Sequence, residues 1–318
     1  MTLPLLRIGT RGSPLALIQA EEVRARLAAA HPELAEPGAL EIVVIRTTGD
    51  AVRDRTLSVI GGKGLFTKEI EEAMYDGAID LAVHSLKDVP TVLPDEFELI
   101  CNLPREDPRD AFLSPKAKTL AELPAGSVVG TASLRRQALV LHMRPDLKVQ
   151  PLRGNVDTRM AKLDAGAMDA TLLAVSGLKR FGKAGRITSI LSPEEMMPAV
   201  AQGAISVEAR KDDERTRTWL AALDHAATTI QVTAERALLA ALDGSCKTPI
   251  AALAEPVGTG EILLRALVVR PDGTELHETR RQGALADAVR LGADAGAELK
   301  SRAGPNFFDI PIQSGKPV

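Results

Sequence analysis

Short strand-like stretches, several of them continuous apolar runs, recur through the first two thirds of the chain and alternate with stretches of helical periodicity. Leu5–Thr10, Glu41–Thr47, Asp80–Ser85, Lys148–Leu152, Asp169–Val175 and Ala204–Ala209 read as strands. Several lack polar alternation, as expected of strands covered on both faces of a parallel sheet. Ser13 and Pro14 make a cap and first-turn pair ahead of a helix over Leu15–Ala30. Thr67 is placed to cap a helix ending at Gly77. Asn155 is placed to cap one that carries Val156, Met160 and Leu163 on one face and ends at Gly166. Alternation of this kind predicts α/β domains.

The last third follows another pattern. A helix over Thr229–Leu242 stops at Gly244 and gives way to a loop holding Cys246. Glu261–Val269 and Glu275–Gln282 read as strands joined by the turn Pro271-Asp272-Gly273, and a helix over Ala286–Ser301 follows. This is a small α+β domain. At 318 residues the chain exceeds one comfortable core, so two or three domains are expected. Proline- and charge-rich stretches at Pro104–Pro108 and Ser192–Pro198 are candidate crossings between them.

Charge narrows the function. The net charge is −3, so no overall field points to nucleic acid or to an anionic membrane. Yet Thr131–Lys162 holds seven Lys or Arg against two Asp, a local +5. A solvated basic face explains any single arginine there; the concentration calls for an anionic partner. Several of these residues fall at strand-to-helix junctions, where open α/β sheets bind ligands and helix N-termini present N–H groups. A guanidinium fork suits a carboxylate or phosphate. RNA is a poor fit, because no Phe, Tyr or Trp lies between Phe112 and Phe181 to stack a base.

Three further constellations stand out. Asp80–Pro90 runs as a buried strand into His84, Ser85, Lys87 and Asp88, and polar side chains at such a strand end suit a site. A local ion pair in a turn explains the same residues. Gly61-Gly-Lys-Gly-Leu-Phe66 lacks P-loop spacing and Lys63 precedes Gly, so a hinged loop suits it as well as phosphate binding does. Cys246 sits among small residues beside Lys247, which favours a thiolate, but no local His or Asn makes a protease-like dyad. Cys101, ending the apolar run Leu99-Ile100, reads as structural. Two cysteines and five histidines show no metal-ligand spacing, so no metal is expected. No apolar run reaches membrane-spanning length, and Met1–Ile8 does not read as a secretory leader; a cytoplasmic location is expected.

Taken together, nine runs resemble the porphobilinogen deaminase (hydroxymethylbilane synthase) family, in that family's order and along essentially the whole chain. They are RIGTRGSPLAL (7–17), GGKGLFTKEIE (61–71), DLAVHSLKDVP (80–90), REDPRDAF (105–112), VGTASLRRQ (129–137), LRGNVDTR (152–159), LAVSGLKR (173–180), PAVAQGAISVE (198–208) and GSCKTPIAA (244–252).

The resemblance implies two periplasmic-binding-protein-like α/β domains, 1–103 with 203–223 and 108–198, plus a small C-terminal α+β domain, 226–318. It implies a transferase that joins four porphobilinogen molecules head to tail into hydroxymethylbilane, a precursor of haem and chlorophyll, and releases ammonia. One covalent dipyrromethane cofactor per chain is expected on Cys246, Asp88 is the expected catalytic carboxylate, and the molecule is expected to be a monomer. The substrate's acetate and propionate groups give the arginines their purpose. Arg11, Arg135, Arg136, Arg153, Arg159 and Arg180 are the expected carboxylate ligands, with Ser13, Lys63, Phe66, Ser85, Lys87, Thr131, Ser133, Gly154, Asn155 and Gln202 completing the binding set. Gly12 and Ala132 depart from the family's usual polar residues and bear on fine contacts alone. A binding protein of the same two-domain build explains the arginines but not Cys246 or Asp88.

Overall fold

A computed structural model of the chain describes residues 4–48, 67–244 and 248–309. Lys63, Phe66 and Cys246 lie outside the described residues. The chain divides into two compact units, Met1–Asp107 with Gln202–Ile230 and Pro108–Ala201 with Gln231–Val318.

The first unit is built on a five-stranded sheet of β1 (Leu6–Arg11), β2 (Leu40–Ile45), β3 (Leu81–Ser85), β4 (Phe97–Asn102) and β10 (Ile205–Arg210), in the order β2-β1-β3-β10-β4. β1 runs parallel to β2 and β3, whereas β10 is antiparallel to both of its neighbours. Helix α1 (Pro14–Ala30) covers one face: Ala20, Val23 and Leu27 pack on Leu6, Ile8, Leu81 and Val83. Helix α2 (Lys68–Tyr75) covers the other, setting Ile70 and Met74 against Ile79 and Ala82. Successive β3 residues therefore face different helices, and the strand needs no polar side. Burying each large aliphatic side chain contributes about 2 kcal/mol. α6 (Glu214–Ala221) follows β10.

The run ending at Ala209 has the composition of a parallel strand, but β10 is antiparallel. It enters the sheet just after the chain returns from the second unit and is buried along nearly its whole length. Composition registers the double burial, not the direction. Thr67 occupies the N-cap of α2, yet its side chain makes no capping bond.

In the second unit β5 (Asp110–Leu113), β6 (Val128–Gly130), β7 (Lys148–Gln150), β8 (Ala170–Ala174) and β9 (Ser189–Ile190) form a sheet in the order β7-β6-β8-β5-β9. β6 is parallel to β7 and β8, and β5 is antiparallel to β8 and β9. In each sheet the fourth strand is the one laid down directly after a crossing. Helices α3 (Leu134–Met143), α4 (Val156–Asp164) and α5 (Val175–Arg180) follow β6, β7 and β8 in turn. A three-stranded antiparallel sheet, β11 (Ile250–Val257), β12 (Glu261–Val269) and β13 (Leu276–Ala284), stands between α7 (Ala226–Ala241) and α8 (Ala288–Ala303) in the chain. Leu253 and Leu267 from it share a core with Phe112, Val129 and Leu139. An α/β first two thirds and a smaller α+β last third are thus what the chain forms.

Candidate active site

In the first unit the C-terminal ends of β1 and β3 lie side by side, because parallel pairing sets Gly9 opposite Ala82. β1 ends on Arg11, and Ser13 caps α1, its hydroxyl accepting the Ala16 N–H at 3.3 Å. β3 ends on Ser85, and the chain then tightens into the single turn Leu86–Asp88. Arg11, Ser13, Gln19, His84, Ser85 and Asp88 line one pocket as a result. Lys87 Nζ donates to Gln202 Oε1 at 3.4 Å. Gln202 is itself held by Arg105, whose Nε donates to the Gln202 carbonyl at 2.9 Å. Its neighbour Gly203 has φ +94, and a Cβ there would fall 2.3 Å from the Glu106 carbonyl oxygen, so glycine is required.

His84, singled out in the sequence, has a buried partner that the sequence reading missed, Glu208. His84 Nε2 is 2.9 Å from Glu208 Oε2, with side-chain exposures of 5% and 0%. Burial pushes the nearby Glu71 carboxyl up, and the Glu208 charge adds to that rise. A charged residue inside the apolar run Ile205–Ala209 was the available signal. Gln19 was missed too; its signal is an amide on the face of α1 that also carries Ala16, Ala20 and Val23.

The second unit gathers the basic residues at the C-terminal ends of its parallel strands. After β6, Thr131 Oγ1 accepts the Ser133 N–H at 3.1 Å, and Ser133 caps α3. Arg135 and Arg136 follow in the first turn, both buried. Each donates at 2.7 Å to a different oxygen of Asp110, Arg135 to Oδ2 and Arg136 to Oδ1. Their other arms donate to the Met197 carbonyl at 2.7 Å and the Leu172 carbonyl at 2.9 Å. Burial by itself raises the Asp110 carboxyl, but the two guanidinium charges outweigh it and hold Asp110 well below the usual carboxylate range. Asp110 was not foreseen as their partner; within REDPRDAF it is one of three acids with no distinguishing pattern.

After β7 come Arg153, Gly154 and Asn155, and Asn155 Oδ1 accepts the Thr158 N–H at 2.9 Å to cap α4. Gly154 has φ +115, and a Cβ there would meet the Thr158 side chain at 2.7 Å. Arg159 Nε donates to the Gly154 carbonyl at 2.8 Å, tying the helix to its own entry loop. Arg180 ends α5, half-buried. Ser13 thus caps a helix leaving the C-terminal end of a parallel strand in the first unit, and Ser133 and Asn155 cap helices leaving the C-terminal ends of neighbouring parallel strands in the second, an arrangement that favours anions within each unit.

Residues 6–218 match a family model described as porphobilinogen deaminase, dipyromethane cofactor binding domain, and residues 229–301 match porphobilinogen deaminase, C-terminal domain. The chain belongs to the porphobilinogen deaminase family. Porphobilinogen deaminase of Nitrobacter hamburgensis is 58% identical over 306 residues, 96% of each chain. The chloroplastic porphobilinogen deaminase of Pisum sativum is 57% identical over 308 residues, 96% of this chain and 84% of that one. A Bacillus subtilis structure described as a putative methionine-binding lipoprotein superposes at TM-score 0.41 with 13% identity, covering 68% of this chain and 87% of that one.

The family's dipyromethane group can be tested against the donors present. Arg135 Nε and Arg136 Nε are buried and have no hydrogen-bond partner among the described residues. Orphaned cationic N–H groups in the first turn of a capped helix fit a group bearing carboxylates. No helix of the described residues is long and apolar enough to cross a membrane.

Proposed function

We propose that this chain joins porphobilinogen units head to tail into hydroxymethylbilane with release of ammonia, starting from a dipyrromethane on Cys246. The observation that carries this reading is the pocket in which Arg11, Ser13, Ser85 and Asp88 meet at the ends of two parallel strands, in a chain of this family. Porphobilinogen carries two carboxylates, a ring N–H and an aminomethyl group. Arg11 and Ser13 offer donors to a carboxylate, and Asp88 offers an acceptor to the N–H. A carboxylate in that position stabilises the cation that develops as the C–N bond breaks and ammonia departs with the bonding pair. Asp88 is also the group placed to take the proton released when the new carbon–carbon bond forms.

Arg135, Arg136, Arg153, Arg159 and Arg180, with Lys87, Thr131, Ser133, Asn155 and Gln202, are assigned to the carboxylates of the primer and the growing chain. When bound, the dipyrromethane supplies the pyrrole position from which the chain grows. Lys63 and Phe66 are assigned by resemblance to the cleft or its lid. Residues 1–103 with 203–223, 108–198 and 226–318 are read as three domains of a cytoplasmic monomer whose partner is porphobilinogen rather than nucleic acid or membrane. Net charge −3 supports that choice of partner.

Intact mass tests the assignment. Protein from cells able to make porphobilinogen should exceed its sequence mass by two pyrrole units located on Cys246, and an unmodified mass refutes the attachment. Asp88→Asn should keep that mass and lose most turnover; near-normal turnover removes Asp88 from the role.

A further inference from the structure

Gln19 lies on the sheet-facing side of α1 with Ala16, Ala20, Val23 and Leu27, and is 3% exposed. An amide buried there must find hydrogen-bond partners. Among the described residues it finds one hydroxyl. Gln19 Nε2 is 2.8 Å from Ser85 Oγ, and the same Oγ is 3.1 Å from Gln19 Oε1. Both residues line the pocket that holds Arg11 and Asp88.

A serine hydroxyl has a single hydrogen. If Ser85 accepts from the Gln19 N–H, its own hydrogen stays available to the pocket. If it donates to Gln19 Oε1, it shows the pocket a lone pair instead. The shorter of the two contacts is the one in which Gln19 donates. Arg11 in the same pocket draws the acceptor end of a ligand, which is what a hydroxyl hydrogen needs.

We propose that Gln19 is a positioning residue that turns the Ser85 hydroxyl hydrogen toward bound substrate, making Ser85 a second donor to a carboxylate held by Arg11. This rests on the reading that the Arg11–Asp88 pocket receives porphobilinogen. A plain structural tie between α1 and β3 has the same geometry, so the test must separate the two.

Gln19→Met keeps the length and apolar packing and removes both contacts. Gln19→Glu keeps an acceptor alone, so it captures the Ser85 hydrogen and adds an anion. In the holoenzyme, Gln19→Met should raise KM for porphobilinogen about fivefold with kcat within about twofold, and Gln19→Glu should raise it more than about tenfold. In a Ser85→Ala background Gln19→Met should add less than about twofold, because the hydroxyl it orients is gone. Calorimetric binding of porphobilinogen to Asp88→Asn holoprotein should weaken with Gln19→Met by the same factor as KM. Effects of Gln19→Met and Ser85→Ala that simply multiply overturn the proposal, as does a lower Tm with unchanged KM. Arg11→Leu separates this from the reading beneath it. If Arg11→Leu leaves KM unchanged, the pocket is not the substrate site. If Arg11→Leu raises KM and Gln19→Met does not, the role of Gln19 alone falls.

Discussion

His84 Nε2 lies 2.9 Å from Glu208 Oε2, one diagonal step across the β3–β10 ladder, with both side chains buried. β3 carries Asp88 just beyond its end, so this pair braces the strand that presents the candidate catalytic carboxylate. Glu208→Ala strands a buried imidazole and opens a cavity. It should cost about 3 kcal/mol, whereas Glu208→Gln, which keeps an acceptor oxygen, should cost about 1 kcal/mol. Urea denaturation measures both; equal losses would show that a polar partner beside the imidazole is not what matters.

Asp110 predicts an acid sensitivity. Its folded-state pKa is depressed by Arg135 and Arg136. A depressed carboxylate contributes stability that is complete above its unfolded value, near 4, and drains away as pH falls toward the folded value. Wild-type protein should therefore lose stability below about pH 4 more steeply than Asp110→Asn. The variant should already be weaker at pH 7, by about 3–5 kcal/mol, because two buried arginines lose their counter-ion. Parallel pH–stability curves for the two proteins would contradict this.

Thiol counting gives an independent check on Cys246. Cys101 is 1% exposed, and burial, with a smaller contribution from Asp224, pushes its thiol up to about 12. It should not react with a water-soluble disulfide reagent in the folded protein. If Cys246 is capped as a thioether, the native protein should titrate no thiol and the denatured protein one. Two thiols after denaturation would mean an uncapped chain.

Gly203 should tolerate no side chain. Gly203→Ala sets a methyl against the Glu106 carbonyl at a backbone angle that L-residues avoid. A loss of about 2 kcal/mol or more is expected, with Gln202 displaced. A thermal melt within one degree of wild type would show that the segment relaxes freely.

Much of this was readable from residues alone, for physical reasons that can be named. β1, β3, β8 and β10 announced themselves because burial on both faces favours largely apolar stretches without strict polar alternation. α1 and α4 did so through Ser13 and Asn155. What escaped notice was short or ambiguous. β6 spans only Val128–Gly130, too short to show any period. β11, Ile250–Val257, is rich in alanine, which favours no strand. Arg11, Ser13, Ser85 and Asp88, named from their motifs, line one pocket because each closes a strand or opens a turn on one sheet edge. Arg135 and Arg136 were legible as cations but not as partners of Asp110. That pairing depends on a strand and a helix more than twenty residues apart, and local pattern carries no such information.

The strand order has a consequence for biogenesis. The second unit's sheet uses only Asp110–Ile190, so it can close as soon as that stretch leaves the ribosome. The first unit's sheet cannot, because β10 must insert between β3 and β4, and Ile205–Arg210 emerges about a hundred residues after β4. Chains stalled once Ile190 has left the ribosome but Ile205–Arg210 has not should resist protease across 108–190 while Phe97–Asn102 is still cut. Of the two five-stranded sheets, the one begun first closes second, and until then the edge beside Asp88 waits for a strand not yet made.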